Sequence, residues 1–430
     1  MQGGITMRKL ILLLLLVSTL MLGVTQFIPQ TYDFLLLSRG NAKYYEQMKK
    51  IALFDTFING LGIEFMIQGV IASQLVKYGA KIEQFNELLS GQILLVQKDQ
   101  NFFLAMGPGK ETEKLAKAIG DFLGKEIWVS AQKSYVVVSN NRDFANACLK
   151  GGGTIPAEVT KRFEDSSVWA VGYSPKLTYD EAEFESLLLI KVESDKMSGS
   201  LQWKAKNDAA KKMLSEARPD PSYQLHKDPN LAGEIFVFSN VQSARAVKVI
   251  FEQVFSDTTG NVLGSLAQTF GLPSDLESTT KQILVLSDKS TGKMAMSVGI
   301  AQFVQSLFEA QSTTVTVEPA FYSVIEAQIT PQEITKVLGR GEVSGDELKI
   351  DSFTVKCDGK YVRVYSKQKS NEKASLEKAL KVFNPTEHSL FVFVDFAPII
   401  EKLLGMKSQS VFVAVGTVSS DVYTTDWYIK

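Results

Sequence analysis

The sequence predicts an α+β protein made of two duplicated domains, each an antiparallel sheet with helices packed on it. Short apolar stretches separated by turn residues predict β-hairpins, and apolar residues at every third or fourth position predict helices between them. The order of strands, connectors and hairpins occurs twice, with a period of about 200 residues that is too long for a solenoid. Hairpins joined by helices favour sheets with the helices laid on one face. Apolar runs such as Ile93–Val96 and Phe391–Val394 instead favour central strands that are covered on both sides.

The N-terminal residues have the pattern of a secretory signal or an N-terminal anchor. The basic stretch Met7–Lys9 precedes an apolar run, Leu10–Val24. This run of about 15 residues is shorter than the roughly 20 that a membrane-spanning helix needs, so cleavage after Thr25 is favoured over a retained anchor. We therefore assign residues 1–25 to the leader. The expected location is extracytoplasmic, in the periplasm or cell envelope, with membrane association through the N-terminus if the leader is retained.

Composition limits the class of protein. Hydrophobic residues make up 45% of the chain, which is enough for a core, and the formal net charge of −1 argues against a nucleic-acid partner. The two cysteines are Cys148, on a predicted helix, and Cys357, on a predicted strand. A disulfide requires their Cα atoms within about 7 Å, which the sequence leaves open, and we favour two buried thiols.

The first copy is assigned to residues 29–217. It starts with a strand, Tyr32–Ser38, and a mostly helical stretch, Ala42–Leu89. Two hairpins, each followed by a helix, and one later long hairpin complete it. The predicted elements are strands Gln92–Val96 and Phe102–Met106, a helix with an apolar face of Leu115, Ala118, Ile119, Phe122 and Leu123, strands Glu126–Ala131 and Ser134–Ser139, a helix at Asp143–Leu149, strands Ser167–Tyr173, Leu187–Glu193 and Gly199–Lys204, and a helix at Asp208–Ala217.

The second copy is assigned to residues 232–430, after a linker at 218–231 that holds three of the twelve prolines. It starts with a strand, Gly233–Ser239. The other predicted elements are a hairpin of Lys281–Leu286 with Lys293–Val298, an extra hairpin of Thr313–Glu318 with Phe321–Gln328, strands Leu348–Lys356, Gly359–Ser366 and Ser389–Asp395, a helix at Pro398–Leu404, and a hairpin of Ser410–Val415 with Val422–Tyr428.

Few residues are candidates for catalysis or metal binding. His226, in the linker, is expected to face solvent, and His388 is expected in a turn; neither has metal-ligand spacing, and no Gly-x-Ser-x-Gly elbow occurs. Ser-x-x-Lys occurs about as often as chance predicts, without the motifs that accompany it in hydrolases. Its occurrences are Ser130–Lys133, Ser290–Lys293, Ser370–Lys373 and Ser375–Lys378. We assign no catalytic, cofactor-binding or metal-binding residue, and we expect no cofactor.

Two segments resemble ligand loops only in part. The segment Met106–Thr112 contains Gly109 and Lys110 in the order of a phosphate loop. The motif would require Gly at position 104 and Ser or Thr at position 111, where the chain has Leu104 and Glu111, so the segment predicts a strand-to-helix turn. The acidic stretch Asp180–Glu185 lacks the spacing of a calcium loop and predicts a solvated helix face. The four tryptophans fall on predicted strands and are expected to pack in the sheets.

The layout of the chain carries a resemblance. In Pro29–Asn41, an apolar strand precedes the start of a helix, and Glu234–Asn240 repeats this pattern. In Gly79–Val96, an acidic helix that follows a glycine leads into Gln-Ile-Leu, and Gly271–Leu286 repeats this second pattern. In these segments the chain resembles uncharacterised exported bacterial proteins with duplicated α+β domains. The resemblance implies an extracytoplasmic location and supplies no catalytic residues.

Three functions fit these observations. The first is a non-enzymatic extracytoplasmic protein that binds a lipid, another apolar ligand or an envelope protein, because export and high apolar content occur without a catalytic motif. The second is a structural or scaffolding component of the envelope. The third is an envelope hydrolase with a dispersed site, which a cluster of perturbed carboxylates in a cleft would favour.

Overall fold

The computed structural model describes residues 23–60, 63–243, 289–309, 319–350 and 352–430. Helices and strands are mixed, and the paired strands are antiparallel, so the predicted α+β class is confirmed. The chain divides into two compact units. The first contains residues up to Leu177 and Glu185–Gly199, and the second contains Thr178–Phe184 and Ser200–Lys430. The domain boundaries assigned from the sequence stay a prediction.

Eighteen strands and twelve helices lie in the described part of the chain. The strands are β1 (Phe34–Ser38), β2 (Gln92–Lys98), β3 (Asn101–Gly107), β4 (Trp128–Gln132), β5 (Tyr135–Ser139), β6 (Val168–Tyr179), β7 (Ala182–Val192), β8 (Met197–Ala205), β9 (Ile235–Asn240), β10 (Ser290–Gly299), β11 (Ala320–Ala327), β12 (Glu342–Ser344), β13 (Glu347–Ile350), β14 (Phe353–Cys357), β15 (Tyr361–Ser366), β16 (Leu390–Asp395), β17 (Val411–Ser419) and β18 (Val422–Ile429). The helices are α1 (Asn41–Met48), α2 (Ala52–Asp55), α3 (Ile63–Lys77), α4 (Ile82–Ser90), α5 (Thr112–Leu123), α6 (Arg142–Lys150), α7 (Ala157–Glu164), α8 (Asp208–Glu216), α9 (Ala301–Glu309), α10 (Pro331–Leu338), α11 (Ala374–Leu380) and α12 (Phe396–Leu404).

The sheet of the first unit has the pairing order β4-β5-β3-β2-β1-β6. Successive residues of a strand face opposite sides of a sheet, and here both sides are buried. Leu94 and Phe103 pack on one side with Phe27 and α6, whereas Ile93 and Leu104 pack on the other side with α4 and α5. The expectation that helices cover one face is therefore wrong for this unit, whereas the expectation that apolar runs such as Ile93–Val96 form central strands covered on both sides is confirmed.

The core of the first unit extends back to the end of the predicted leader. Val24 is completely buried and Phe27 is 6% exposed, and both lie in a 3-10 turn, Val24–Phe27. The Phe27 ring packs edge-on against Tyr135, with 5.3 Å between the ring centroids. Cleavage after Thr25 would remove Val24 from this core, so the position of any cleavage has a direct structural consequence.

The sheet of the second unit has the pairing order β12-β13-β14-β15-β11-β10-β9-β16-β17-β18. Phe236, Phe238, Phe391 and Phe393 are buried on one side of the adjacent strands β9 and β16. The segment assigned as a linker contributes to the same core, because its Tyr223, Leu225 and Leu231 are buried there.

Two predicted hairpins of the second copy are wrong. Strand β10 pairs with β9 along one edge and with β11 along the other, so neither edge is free for Lys281–Leu286. Strand β11 likewise pairs with β10 and β15, which leaves no edge for Thr313–Glu318. Residues 281–286 and 313–318 themselves lie outside the described residues. The extra hairpin of the second unit is instead β12–β13, which precedes β14.

The acidic stretch Asp180–Glu185 forms a hairpin turn rather than the predicted helix face. It joins β6 to β7, with Asp180 at φ 49° and Phe184 buried. The predicted positions of the four tryptophans are confirmed, since each of them lies on a strand. Alternating apolar and charged residues beside a tight turn are typical of a hairpin. The prediction of a helix considered only the spacing of the acidic residues and missed this alternation.

Candidate functional site

An open groove with a volume of about 860 Å³ lies in the first unit. It runs between α5 and the edge strand β4, and we call it the β4 groove. It is lined by Glu113, Ala116, Lys117, Gly120, Asp121, Gly124, Lys125, Glu126, Ile127, Trp128, Val129, Ser130, Ala131, Asn140 and Arg142.

Hydrogen bonds hold α5 over the strands. The Thr112 hydroxyl, at the first position of the helix, donates to the Lys133 carbonyl oxygen at 2.8 Å, which ties the helix to the β4–β5 turn. The helix ends at Gly124, which has φ 86° and donates its N–H to the Gly120 carbonyl. A Cβ atom on Gly120 would lie 3.5 Å from Val129 Cβ, so the helix packs directly on β4. These contacts fix the two walls of the groove, α5 and β4, against each other.

Strand β4 is at the edge of its sheet, and among the described residues it pairs only with β5. Gln132 and Tyr135 flank a two-residue turn, so they form a hydrogen-bonded pair. Bonded and non-bonded pairs alternate along an antiparallel ladder, which directs the N–H and C=O groups of Val129 and Ala131 away from β5. The groove therefore offers the N–H groups of Val129 and Ala131 and the C=O group of Val129 along one wall, whereas the Ala131 carbonyl accepts the Ser130 hydroxyl at 3.4 Å.

The rim of the groove is charged and its floor contains small residues. Three acids and three bases line it, namely Glu113, Asp121, Glu126, Lys117, Lys125 and Arg142. The same helix exposes Phe122 to 63% and Leu123 to 43%, so the predicted apolar face of α5 holds for Leu115 and Ala118 but not for its last turn. Apolar side chains of this size at the surface often belong to an interaction site.

A smaller cavity of about 230 Å³ lies in the second unit. Glu234 lines it beside Glu372, Lys369 and Lys402. The Glu234 side chain is 5% exposed, and its Oε2 accepts the N–H groups of Ile300 at 2.7 Å and of Ala301 at 3.3 Å. The carboxylate thereby holds the start of α9, where unpaired N–H groups and the helix dipole favour a negative charge.

Glu234 is expected to make the second unit less stable as pH rises. Burial raises the pKa of its carboxyl above 4.5, although the backbone N–H groups oppose this shift. Because the folded state binds the Glu234 proton more tightly than the unfolded state does, protonation of Glu234 stabilises the fold. This stabilisation is complete below about pH 4.5 and is lost as pH rises through the folded-state pKa. Glu234→Gln keeps an acceptor for both N–H groups, so the variant should gain stability over the wild type as pH rises. Urea unfolding from pH 4 to pH 8 measures the difference, with exposed Glu401→Gln as the control; equal pH profiles for wild type and Glu234→Gln would contradict it.

The structure does not bring the Ser-x-x-Lys residues together as serine–lysine pairs. Lys293 pairs with Asp220 at 2.6 Å, and Lys373 donates to the Pro229 and Leu231 carbonyls. Ser375 and Lys378 both donate to Asp395 Oδ2, at 2.9 and 2.6 Å. Ser375 is 1% exposed, and its proton is directed at the carboxylate rather than at the lysine, so the arrangement is that of a buried polar anchor.

The two histidines are held by aromatic side chains. His226 is 7% exposed and stacks on Tyr223 with 5.5 Å between ring centroids, so the prediction that it faces solvent is wrong. His388, which was predicted to lie in a turn, directly follows the turn at residues 385–387, and its Nδ1 accepts the N–H of Asn384 at 3.0 Å. The two residues therefore pack against the aromatic core of the second unit rather than line either cavity.

Both cysteines are free and buried, as the sequence predicted. Burial raises the pKa of Cys148 to about 12 and that of Cys357 to about 11, which makes both thiols poor nucleophiles at neutral pH. Among the described residues, no three His, Cys, Asp or Glu side chains lie together as metal ligands. Within the same residues, no helix combines the length and the apolar character that crossing a membrane requires.

No family model, curated protein or solved structure matches the chain. The resemblance to exported bacterial proteins therefore stays an expectation.

The sequence predicted the elements of the β4 groove but not the groove. The helix and the β4–β5 hairpin were assigned close to their observed bounds. The sequence does contain a pattern that indicates the groove. Small residues recur every four positions at Ala116 and Gly120 of α5 and at Gly124 just after it, which predicts a helix face without large side chains. That β4 ends the sheet depends on pairings between distant segments, which no local pattern encodes.

Proposed function

We propose that the protein is a non-enzymatic, extracytoplasmic binding protein that holds an envelope protein in the β4 groove. The observation that carries the proposal is an open groove of about 860 Å³ along a sheet edge where, among the described residues, the N–H groups of Val129 and Ala131 and the C=O group of Val129 are free. Such an edge is a ready template for pairing with another polypeptide. The export pattern at Met7–Val24 supports the extracytoplasmic location.

The lining favours a polypeptide over a lipid or another apolar ligand. Pockets for apolar ligands are concave and lined mostly by hydrophobic side chains with few polar groups. The β4 groove instead carries six charged side chains of both signs beside exposed main-chain groups. A polypeptide can pair with the main chain and the charges together, whereas an acyl chain would leave both unsatisfied.

We also propose that the two units arose by duplication. The strands β1 to β8, of which most of β8 and the start of β7 belong to the second unit, have counterparts in β9, β10, β11, β14, β15, β16, β17 and β18. The pairings described for β1 to β6 recur in the second unit. A carboxylate precedes the first strand of each unit and accepts an N–H from just after the second strand. These contacts are Asp33 with Asp99 at 2.6 Å and Glu234 with Ile300 at 2.7 Å.

Two alternatives remain as outcomes of a test. A scaffolding component of the envelope would use the filled cores and need no occupied groove. An envelope hydrolase would need a reactive group in a cleft, and the buried Ser375–Asp395 contact lacks an exposed nucleophile.

The test is native mass spectrometry of the full chain purified in mild detergent from its own envelope fraction. Lys117→Trp places a large ring in the groove from an exposed position, and Lys114→Trp places the same ring on α5 outside the groove. We expect a stoichiometric protein partner with the wild type and with Lys114→Trp. We expect at least about a tenfold loss of that complex with Lys117→Trp, a change of 1.4 kcal/mol in affinity.

Other outcomes would overturn the proposal. A bound mass of lipid size would favour an apolar ligand, and a bare chain would favour the scaffold. A protein partner that binds both variants equally would place its contact outside the β4 groove.

A further inference from the structure

The two units differ at one corresponding sheet edge. In the first unit the chain runs β3, α5, β4, β5, and in the second it runs β11, α10, β12, β13, β14, β15. Strand β14 is thus the counterpart of β4. The edge of β14 is occupied by β13, which pairs with it antiparallel from Glu347↔Lys356 to Ile350↔Phe353. The chain itself therefore contains an example of how this kind of edge is filled.

Strand β13 also fills the space under the preceding helix. Leu348 is completely buried and packs in one cluster with Ile334 of α10 and with Val355 and Cys357 of β14. Ile350, two residues later on the same face of β13, packs against this cluster. Lys349, between them, is exposed. An extended segment with apolar residues at alternate positions thus satisfies both the strand edge and the helix face.

The first unit presents the same combination without the added strand. Val129 and Ala131 direct their main-chain groups outward. Ala116 and Gly120 of α5 are small, so the helix carries no large side chain at these two positions of the groove. Lys117 and Asp121 lie on the helix side of the groove, where a large side chain in place of Lys117 would obstruct an added strand.

We propose that β4 binds an extended segment of the partner protein, which adds to the sheet as an antiparallel strand in the way that β13 adds to β14. The segment has apolar residues at alternate positions, directed toward α5, and charged residues between them. Main-chain hydrogen bonds to Val129 and Ala131 supply the binding, and the alternation sets the register. This inference rests on the proposed function and defines the chemistry of its partner.

The experiment uses the full chain and a synthetic eight-residue peptide that repeats the Glu-Leu-Lys-Ile sequence of β13 twice. Fluorescence anisotropy measures its binding, and hydrogen exchange measures protection of the Val129 and Ala131 amides. The control peptide has the same sequence with N-methyl groups at alternate residues, which removes the donors that face β4. We expect saturable binding that protects both amides, and a loss of about tenfold or more with the methylated peptide and with Lys117→Trp, but not with Lys114→Trp.

Each alternative result overturns the inference. Equal binding of the two peptides would exclude strand addition, and so would binding without protection of the two amides. Amides that are already protected in the free protein would mean that residues of the chain itself cover the edge. If the peptide does not bind while a Lys117-dependent partner is captured by mass spectrometry, the proposed function stands and strand addition fails; if neither occurs, both fail.

Discussion

Replacing Phe391 by alanine should destabilise the second unit by about 3–5 kcal/mol. Phe391 is completely buried on β16 and faces Phe238 across the strand pair, with 5.6 Å between ring centroids and 16° between ring planes. The ring centroids of Phe391 and Phe383 lie 5.2 Å apart. Truncation removes the apolar area and the ring contacts, and the surrounding strands restrict collapse of the cavity.

Hydrogen exchange of the β9 and β16 amides measures this loss within the second unit, without assuming that the whole chain unfolds in one step. The matched control is Phe122→Ala, because Phe122 is 63% exposed on α5. That variant should change stability by no more than about 0.5 kcal/mol. A loss below about 1 kcal/mol for Phe391→Ala would contradict the described core, since it would resemble a surface substitution.

Acidification should destabilise the second unit through His226. Its burial lowers its pKa from 6.5 to about 4, and the Lys227 charge adds to this. Its Nδ1 is buried, with no hydrogen-bond partner among the described residues. The unfolded chain therefore binds a proton first as pH falls, so the stabilisation by neutral His226 is present above about pH 6.5 and is lost toward pH 4. The total loss is on the order of 3 kcal/mol at most.

His226→Phe tests this mechanism, because it keeps a ring against Tyr223 and Phe383 and removes the titration. Urea unfolding at pH 7 and pH 4.5 should give a smaller difference for the variant than for the wild type. His388→Gln is the comparison variant: burial also lowers the pKa of His388, so its effect on the difference between pH 7 and pH 4.5 should have the same sign as that of His226→Phe. An NMR titration that gives His226 a pKa near 6.5 would contradict its buried position.

The two pH effects in the second unit have opposite signs. Glu234 favours the folded state at low pH, because burial raises its pKa. His226 favours the folded state at neutral pH, because burial lowers its pKa. Burial disfavours the charged form of both side chains. Glutamate is charged at high pH and histidine is charged at low pH, so the two effects have opposite signs. A single pH profile of the wild type would combine them, so the two single variants are required to separate them.

Predictions from local pattern succeeded where one segment forms its own structure. The first hairpin, Gln92–Val96 with Phe102–Met106, matches β2 and β3 because its two strands and turn are contiguous in the chain. The strand at Ser389–Asp395 matches β16 for the same reason. Predictions failed where a strand pairs with segments that are not its neighbours in the chain, as for Lys293–Val298, which pairs with β9 and β11.

The sequence by itself determined the α+β class, the positions of many strands and the burial of both cysteines, since apolar periodicity and turn residues act over a few positions. Tertiary structure alone decided that His226 is enclosed by aromatic rings and which helices pack on each face of the first sheet. It also decided that β14 has a strand on its edge whereas β4, among the described residues, has none. Strand order joins segments far apart in the chain, so the free edge that defines the β4 groove exists only in the folded sheet.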